Sequence, residues 1–440
     1  MLTAETYSAV QPLLDRLVEA RRQSDALFAI VRTDSIFDRP IPERHRIIFY
    51  IGHLEAFDWN LLHDVLGIQS SRAEFNRLFA FGIDPVGGGL PTDKPSDWPS
   101  LRAVREYVQD VRDSLDSKLS TDLDPSFVKR DGFGLDVLLN VAIEHRLMHL
   151  ETLAYMFHQL PATAKIKQPS PSTQAATSFA QSMVRVPAGS VRLGLSRDRQ
   201  VFGWDNEFEA HTVQVPEFEI DRYMVTNSQF LDFIKDGGYA TRRLWTDEDW
   251  NWKAANDVRH PVFWKQSGSD WLYHTMFGDL DLPLTWPVYV SHAEASAFAR
   301  WAGKALPTEE QWQRAAYGTP GEQRFYPWGD RGPSTELGNF DFSSWDPVPV
   351  NAHPASQSAF GVEGMLGNGW EWTSTPFAPY QGFQPFPFYR GYSADFFDGK
   401  HFVMKGGSPR TAACMLRPTF RNWFQAHYQY VYAGFRCVNT

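Results

Sequence analysis

The chain has 440 residues, of which 43% are hydrophobic and 21% charged, a balance typical of a globular protein too large for one ordinary domain. Its net charge is −10 and it has no run of Lys and Arg, which argues against nucleic-acid binding. The N-terminus has no basic segment followed by an apolar one, and no apolar run is long enough to span a bilayer, so we expect a cytoplasmic protein without membrane contact.

Residues 1–160 are predicted to form a bundle of four long helices. Apolar residues recur at helical spacing in four segments, 4–31, 42–67, 99–119 and 134–161. Pro42 suits the start of the second helix. The connection between the second and third helices contains the stretch "DPVGGGLPTDKPSDWP", and loops of this length in compact domains are often functional.

The composition changes after the fourth helix. Residues 161–182 are rich in Pro, Ser, Thr and Ala and are predicted to be a linker. In residues 183–440, Gly, Pro and Trp interrupt short apolar runs, which predicts a loop-rich mixed α+β domain. Two helices are expected there, at "SHAEASAFARWAG" and at "PTEEQWQRAAYG", where Thr308 could cap the second.

Two histidines in the fourth helix have the spacing of a metal site. His145 and His149 are four residues apart and therefore share one face of a helix. A zinc peptidase would need Glu directly after the first histidine, and Arg146 stands there instead. From this pattern alone, a metal site and an ordinary core helix remain equally open.

A third ligand could come from the second helix. His53 lies mid-way along it, beside Gly52, and facing helices of a bundle can bring it to the other two histidines. Three neutral imidazoles leave coordination positions open, which suits catalytic Zn or non-haem Fe(II). Glu151 and Asp58 could accept hydrogen bonds from the ring N–H groups and orient the ligands.

Both halves of the chain resemble known families. The first resembles the DinB-type helical bundle, in which one histidine precedes a His-x-x-x-His-x-Glu motif; here these residues are His53, His145, His149 and Glu151. The second resembles the formylglycine-generating-enzyme-like (sulfatase-modifying-factor) domain, a mixed α/β fold of C-type-lectin type. The segments that carry this likeness include "VPAGSVRLG", "FEIDRYMVTNSQFLDFI", "YPWGD", "GNGWEWTST", "RPTFRN" and "AGFRCV".

The fusion of these two domains is similar to the non-haem iron sulfoxide synthases of thiohistidine biosynthesis. That family includes the hercynine oxygenases of ergothioneine synthesis and the ovothiol synthases, and a relative makes selenoneine from hercynine and a selenosugar. The resemblance implies Fe(II) held by His53, His145 and His149, O₂ as the oxidant, and an active site at the domain interface. The bond formed would join sulfur or selenium to imidazole C2 of hercynine.

The resemblance also implies residues that hold the substrate. The trimethylammonium group of hercynine cannot donate a hydrogen bond and needs aromatic faces or a carboxylate. The segment "RPTFRNWFQ" contains Asn422, Trp423 and Phe424, which match the part of the family that surrounds the betaine group, while Arg417 and Arg421 are candidate partners of a substrate carboxylate.

A tyrosine near the iron is also typical of the family. The candidates for this catalytic role are Tyr380 and Tyr389, with Tyr392 as a further choice. The copper-binding cysteine pair of true formylglycine-generating enzymes is not reproduced by Cys414 and Cys437, which we expect to be ordinary thiols rather than a disulfide.

Two departures from the family pattern bear on the sulfur or selenium donor. Many hercynine oxygenases carry Gln before the second histidine of the motif, where this chain has Met148, whose thioether accepts hydrogen bonds only weakly. The loop "PVGGGLPTDKPSDWP" contains Lys94 as its only cation, which favours cysteine or a neutral selenosugar over γ-glutamylcysteine.

Other functions remain open at this point. The alternatives are an ovothiol-type 5-histidylcysteine sulfoxide synthase, a Zn-dependent thiol transferase of DinB type, and a non-catalytic small-ligand-binding protein. We expect a monomer or a weak homo-oligomer.

Overall fold

The computed structural model describes residues 4–69, 72–80, 90–120, 128–168, 179–198 and 201–439. The chain divides into two compact units, Met1–Gln168 and Pro169–Thr440. Among the described residues, no helix combines the length and the apolar character needed to cross a membrane.

The first unit consists mainly of long helices. Its elements are α1 Ala4–Phe28, α2 Ile47–Leu62, α3 Ala73–Leu78, α4 Leu101–Leu119 and α5 Leu135–His158, with a small hairpin of β1 Lys129–Arg130 and β2 Phe133–Gly134. Helix α1 packs along α5, and α2 packs against both α4 and α5. The four predicted long helices are therefore present, and the short α3 was not predicted. The likeness to the DinB-type bundle stays a prediction.

The start of α2 differs from the prediction. The helix begins at Ile47 and not near Pro42, because Arg46 is extended, with φ −67° and ψ 155°. The Arg46 guanidinium donates to the carbonyl oxygen of Phe37 at 2.7 Å. This tertiary contact fixes the chain before the helix and overrides the local preference of proline for a first turn.

Helices α4 and α5 differ in how much of their surface is buried. Helix α4 buries one stripe at spacings of three and four residues, made of Val104, Tyr107, Val111, Leu115 and Leu119. Helix α5 is buried on nearly all sides, including its polar residues His145, Arg146, His149 and Glu151. Buried polar groups need hydrogen-bond partners, and many of the buried polar side chains of this unit lie on α5.

The described ends of the predicted linker belong to the two units. Lys165 forms a β-bridge with Val31, and its Nζ donates to the carbonyl oxygen of Phe157 at 3.0 Å. The ring of Phe179 packs edge-on against Tyr223 of the second unit, with centroids 4.9 Å apart. Residues 169–178, the middle of the predicted linker, lie outside the described residues.

The second unit combines short strands with four helices among its described residues. The helices are α6 Asn227–Lys235, α7 Asp247–Ala255, α8 His292–Trp301 and α9 Glu309–Tyr317. The strands are β3 Met183–Val186, β4 Gly189–Leu193, β5 His211–Val215, β6 Phe218–Asp221, β7 Trp264–Ser267, β8 Asp270–Thr275, β9 Gly278–Asp281, β10 Lys304–Ala305, β11 Gly369–Pro376, β12 His401–Gly407, β13 Asn422–Gln425, β14 Ala433–Gly434 and β15 Val438–Asn439.

These strands form several small sheets. Two have four strands, in the orders β10-β15-β6-β3 and β13-β12-β11-β14, one has three strands, β7-β8-β9, and β4 and β5 form a two-stranded sheet. All pairs are antiparallel except β11 with β14. A loop-rich mixed α/β domain, as predicted, is confirmed.

The helix starts of this unit show the capping chemistry expected from the sequence. The side chain of Thr308 accepts from the backbone N–H of Gln311, whose own side chain accepts from the Thr308 N–H. The predicted cap of α9 is therefore confirmed. The same pattern at Thr226 and Gln229 opens α6, which was not predicted although the signal was there.

An ion pair lies in the core of the second unit. Arg436 and Glu371 are both fully buried, and Nε and Nη2 of Arg436 donate to the two carboxylate oxygens at 2.7 Å each. The indole N–H of Trp312 also donates to Glu371, at 2.9 Å. One carboxylate thus ties β11 to α9 and to the segment before β15.

Candidate metal centre

Three histidines meet between α2 and α5. His53 comes from α2, and His145 and His149 from adjacent turns of α5. One ring nitrogen from each lies within 4.8 Å of the others, and the Nε2 atoms of His145 and His149 are 3.1 Å apart. The structure therefore brings together the three residues that the sequence singled out. Their role as metal ligands stays a prediction.

The protonation of this group favours metal binding. Burial lowers the pKa of His53 to about 4 and the pKa values of His145 and His149 well below the ordinary value of 6.5. All three imidazoles are therefore neutral near pH 7, which is the form that binds a metal ion.

A backbone carbonyl fixes the orientation of His53. Its Nδ1 lies 2.7 Å from the carbonyl oxygen of Phe79, just after α3. Because a carbonyl only accepts, Nδ1 must carry the hydrogen, and the lone pair is then on Nε2. A second hydrogen bond of this kind is usual for metal-binding histidines.

Aromatic rings surround the histidines. The ring of Phe57 stacks on His145 with centroids 3.4 Å apart, and Phe49 stacks on His53 at 4.9 Å. A Cβ atom at Gly52 would lie 2.5 Å from the ring of Phe79, so the glycine leaves the space that this ring needs. The apolar walls keep the three imidazoles away from water.

The chemistry of this group fits Fe(II). Imidazole nitrogen binds Fe, Zn, Cu and Ni, and a divalent ion on three neutral imidazoles would retain open positions for small molecules. The three side chains are 4%, 3% and 2% exposed, which gives a dry environment for such an ion.

The predicted orienting role of Asp58 is wrong. Its Oδ2 accepts from Nη2 of Arg146 at 2.7 Å, while the ring N–H of His53 goes to the Phe79 carbonyl. The sequence could not show that Arg146 would reach α2. Glu151 is buried on α5, and its orienting role stays a prediction.

Met148 occupies a distinctive position on α5. It is partly exposed, whereas its neighbours Leu147 and His149 are buried. It lies three positions after His145, so helical geometry places the two on adjoining parts of one face. This position is compatible with substrate contact, which stays a prediction.

In the described part of the loop before α4, Asp93 pairs with arginines that come from outside the loop. Asp93 accepts from Arg39 and from Nε of Arg46, the latter at 2.9 Å, and from the indole of Trp98 at 2.8 Å. Lys94 is exposed. Two arginines thus reach this loop from other segments, and both are paired with Asp93. Residues 81–89, the other part of the loop, lie outside the described residues.

The predicted substrate segment is β13, at the edge of a four-stranded sheet. Trp423 stacks on Phe377 with centroids 4.2 Å apart and meets the ring of Tyr392 edge-on at 5.3 Å. Phe424 stacks on Tyr428 at 5.0 Å, and the side chain of Asn422 accepts from the N–H of Trp423 at 2.9 Å. All three predicted residues are partly exposed. An aromatic cluster of this kind can bind a quaternary ammonium group.

The two predicted arginines pair with carboxylates of the protein. Nε and Nη2 of Arg417 donate to Glu207 at 2.9 and 2.5 Å, and those of Arg421 donate to Glu309 at 2.9 and 3.0 Å. Burial alone would raise the pKa values of both glutamates, but the arginines hold them below the ordinary value. Their binding of a substrate carboxylate stays a prediction.

The two predicted catalytic tyrosines lie in different surroundings. The hydroxyl of Tyr380 donates to Glu309 at 3.0 Å, and Arg421 lies over its ring at 4.1 Å. Tyr389 lies beside Trp204 and Tyr392. Burial raises the pKa of each above its ordinary value, so both are protonated at neutral pH. Their catalytic roles stay predictions.

Comparison with known proteins agrees with this organisation. Residues 167–440 match the sulfatase-modifying factor enzyme 1-like domain. The hercynine oxygenase of Mycolicibacterium smegmatis is 36% identical over 359 residues, which cover 79% of this chain and 78% of that protein. The chain belongs to the hercynine oxygenase family. The resemblance to the hercynine oxygenases and to the formylglycine-generating-enzyme-like domain is therefore confirmed.

Two further relatives match different shares of the chain. The hercynine oxygenase of Mycolicibacterium thermoresistibile is 43% identical over 252 residues, 56% of this chain and 55% of that protein. Ergothioneine biosynthesis protein 1 of Neurospora crassa is 27% identical over 495 residues, 92% of this chain and 55% of that protein. The matched region thus spans only about half the length of these two relatives.

Proposed function

We propose that the chain is an Fe(II)- and O₂-dependent enzyme that joins sulfur or selenium to imidazole C2 of hercynine. The observation that carries the proposal is the buried group of His53, His145 and His149 in a chain of the hercynine oxygenase family. The alternative is ovothiol-type chemistry on histidine itself, and a panel of substrates distinguishes it from the reaction on hercynine.

The residues of the chain would prepare the site before any chemistry. The Phe79 carbonyl holds one tautomer of His53, so its Nε2 lone pair is available without rearrangement. The stacked rings of Phe57 and Phe49 keep two of the imidazoles in fixed orientations. When bound, Fe(II) would supply the redox chemistry that lets O₂ react.

The proposed reaction balances with O₂ as the sole oxidant. A thiol or selenol, the C2–H of the imidazole and one O₂ give a sulfoxide or selenoxide and one water, with the C2–H and the S–H or Se–H bonds broken and the C–S or C–Se bond formed. In the second unit, the rings around Trp423 would hold the trimethylammonium group, for which aromatic faces suit a cation that cannot donate a hydrogen bond.

For the donor, we propose cysteine or a neutral selenosugar rather than γ-glutamylcysteine. In the described part of the loop before α4, Arg39 and Arg46 are already paired with Asp93. Lys94 alone would be a weak partner for the two carboxylates of a γ-glutamyl dipeptide.

The test uses the full chain, loaded anaerobically with Fe(II). Hercynine or histidine is added with cysteine, γ-glutamylcysteine or a selenosugar, then O₂, and the products are identified by mass spectrometry. We expect O₂ consumption and a C2 adduct with hercynine only. No O₂ uptake with any histidine betaine would refute the proposal.

A matched pair of variants tests the ligands. His145→Ala should lose bound iron, while His63→Ala, at a partly exposed histidine at the end of α2, should keep it. Stoichiometric iron in His145→Ala would show that the ligand assignment is wrong.

A further inference from the structure

A group of buried and partly buried charges connects four helices next to the three histidines. Its members are Arg21 of α1, Glu55 and Asp58 of α2, Arg112 of α4 and Arg146 of α5. The side chains of Glu55, Asp58 and Arg146 are at most 1% exposed. Charges this deeply buried are costly unless they are paired, so their arrangement calls for a reason.

Arg146 makes the central contacts. Its Nη2 donates to Asp58 Oδ2 at 2.7 Å and to the carbonyl oxygen of Leu54 at 3.2 Å. Its Nη1 donates to Glu55 Oε1 at 3.0 Å and to the hydroxyl of Ser24 at 3.2 Å. One side chain of α5 thus engages both the backbone and two carboxylates of α2.

These contacts lie beside the candidate ligands on both helices. Arg146 directly follows His145, and Leu54 directly follows His53. A slip of α5 along α2 by one turn, about 5.4 Å, would break the contacts of Arg146. It would also separate nitrogen atoms that now lie within 4.8 Å of one another.

Stability alone does not explain this group. Apolar residues of similar volume usually stabilise a core as well as a buried ion pair does, or better. The best-attested use of buried polar groups is to select one register between helices.

We infer that Arg146, through Glu55 and Asp58, is a positioning residue that sets the register of α5 on α2 and so places His145 and His149 against His53. The inference rests on the proposed metal site and adds to it a residue that does not touch the metal. The other two arginines contact the same carboxylates but would each keep a partner without them, because Arg112 also pairs with Asp25 at 2.7 Å and Arg21 with Asp116 at 2.6 Å.

The test replaces the ionic contacts by apolar ones in the full chain. Arg146→Met, Glu55→Met and Asp58→Leu are combined, and Co(II) is titrated by its visible absorption while calorimetry follows unfolding. We expect the variant to unfold within a few degrees of wild type, with an altered Co(II) spectrum and an affinity at least about tenfold lower.

The control is Asp116→Asn, which breaks the ion pair between α1 and α4 and leaves Arg146 untouched. Its Co(II) affinity should equal that of wild type. Should the triple variant not fold, Arg146→Lys serves instead. It keeps the charge but cannot span both carboxylates and the Leu54 carbonyl, so its affinity should fall measurably.

The outcomes separate this inference from the proposed function. A folded triple variant, or a folded Arg146→Lys, with the wild-type Co(II) affinity and spectrum would overturn the register role alone. A wild-type chain that binds no Co(II) would overturn the metal site, and the register inference with it.

Discussion

Gly52→Ala should disturb the candidate metal centre although Gly52 is not one of the candidate ligands. The added Cβ would lie 2.5 to 2.6 Å from three atoms of the Phe79 ring, against ordinary contacts of about 3.4 to 4.0 Å. The ring has little room to move, because Phe79 is fully buried among Phe75, Trp98 and Tyr107. Displacement of Phe79 would move the carbonyl that holds His53.

The magnitude follows from two opposing effects. Overpacking of a core costs about 1 to 3 kcal/mol, and the depth of this overlap places Gly52→Ala near the upper value. Alanine in a helix gains about 1 kcal/mol over glycine. The net loss should be about 2 kcal/mol, or roughly 4 to 8 °C in the melting temperature of a unit of this size.

Calorimetry of the full chain measures the melting temperature, and Co(II) titration measures the site. We expect the affinity of Gly52→Ala to fall by about tenfold, as for the loss of a ligand's outer hydrogen bond. Gly332→Ala is the matched control, since a Cβ there meets no atom within 4 Å.

A double variant tests the proposed cause. Phe79→Leu creates space near Gly52, so Gly52→Ala with Phe79→Leu should cost less than the sum of the two single variants. Additive losses, or a Gly52→Ala protein with wild-type stability and Co(II) affinity, would refute the reasoning.

Three predictions concern the second unit. Burial raises the pKa of Asp205 to about 6, so its folded state binds a proton more tightly than the unfolded state and stability is lost as the pH rises from about 4 through 6. Asp205→Asn keeps an acceptor for the Ser393 hydroxyl. It should therefore be more stable than wild type by up to about 3 kcal/mol at pH 7 and by under about 1 kcal/mol at pH 4. Urea denaturation measures the difference, and a difference that does not change with pH would contradict this prediction. Arg436→Met leaves Glu371 buried without its ion-pair partner and should lower the free energy of unfolding by about 3 to 5 kcal/mol. Arg436→Met combined with Glu371→Leu should recover much of that stability. Equal losses in the single and the double variant would argue against the ion pair. Thr308→Ala should lower the free energy of unfolding by about 1 kcal/mol and Thr308→Ser by much less, as measured by chemical denaturation; equal effects would exclude the cap.

The sequence was most informative where a pattern is local. The spacing of His145 and His149, and the cap at Thr308, follow from one helical turn each, and the structure has both. The meeting of His53 with the other two histidines required a correct assumption about helix packing, which the positions of α2 and α5 bear out.

Contacts distant in sequence could not be predicted. The Phe79 carbonyl lies 26 residues beyond His53. Because every residue has a backbone carbonyl, the identity of residue 79 does not predict this contact. From the sequence, Arg146 indicates only that the glutamate of a zinc peptidase is missing after His145. Nothing nearby in the sequence points to the partners of Arg146 on α2. Asp58 was accordingly assigned to the wrong neighbour.

The arginines of the second unit illustrate a related limit. Arg417 and Arg421 were predicted from a short motif, but their partners Glu207 and Glu309 come from segments far away in the chain. A motif identifies a charged side chain, but the residues that neutralise its charge depend on the whole fold.

The two cysteines have a practical consequence. Cys437 is fully buried and burial raises the pKa of its thiol, whereas Cys414 is partly exposed. Maleimide reagents attack the thiolate of an accessible cysteine, so they should label Cys414 and spare Cys437. Because the three candidate metal ligands are imidazoles, a thiol reagent would not modify the ligands themselves. The natural chain thus offers a single attachment point for optical studies without any engineered cysteine.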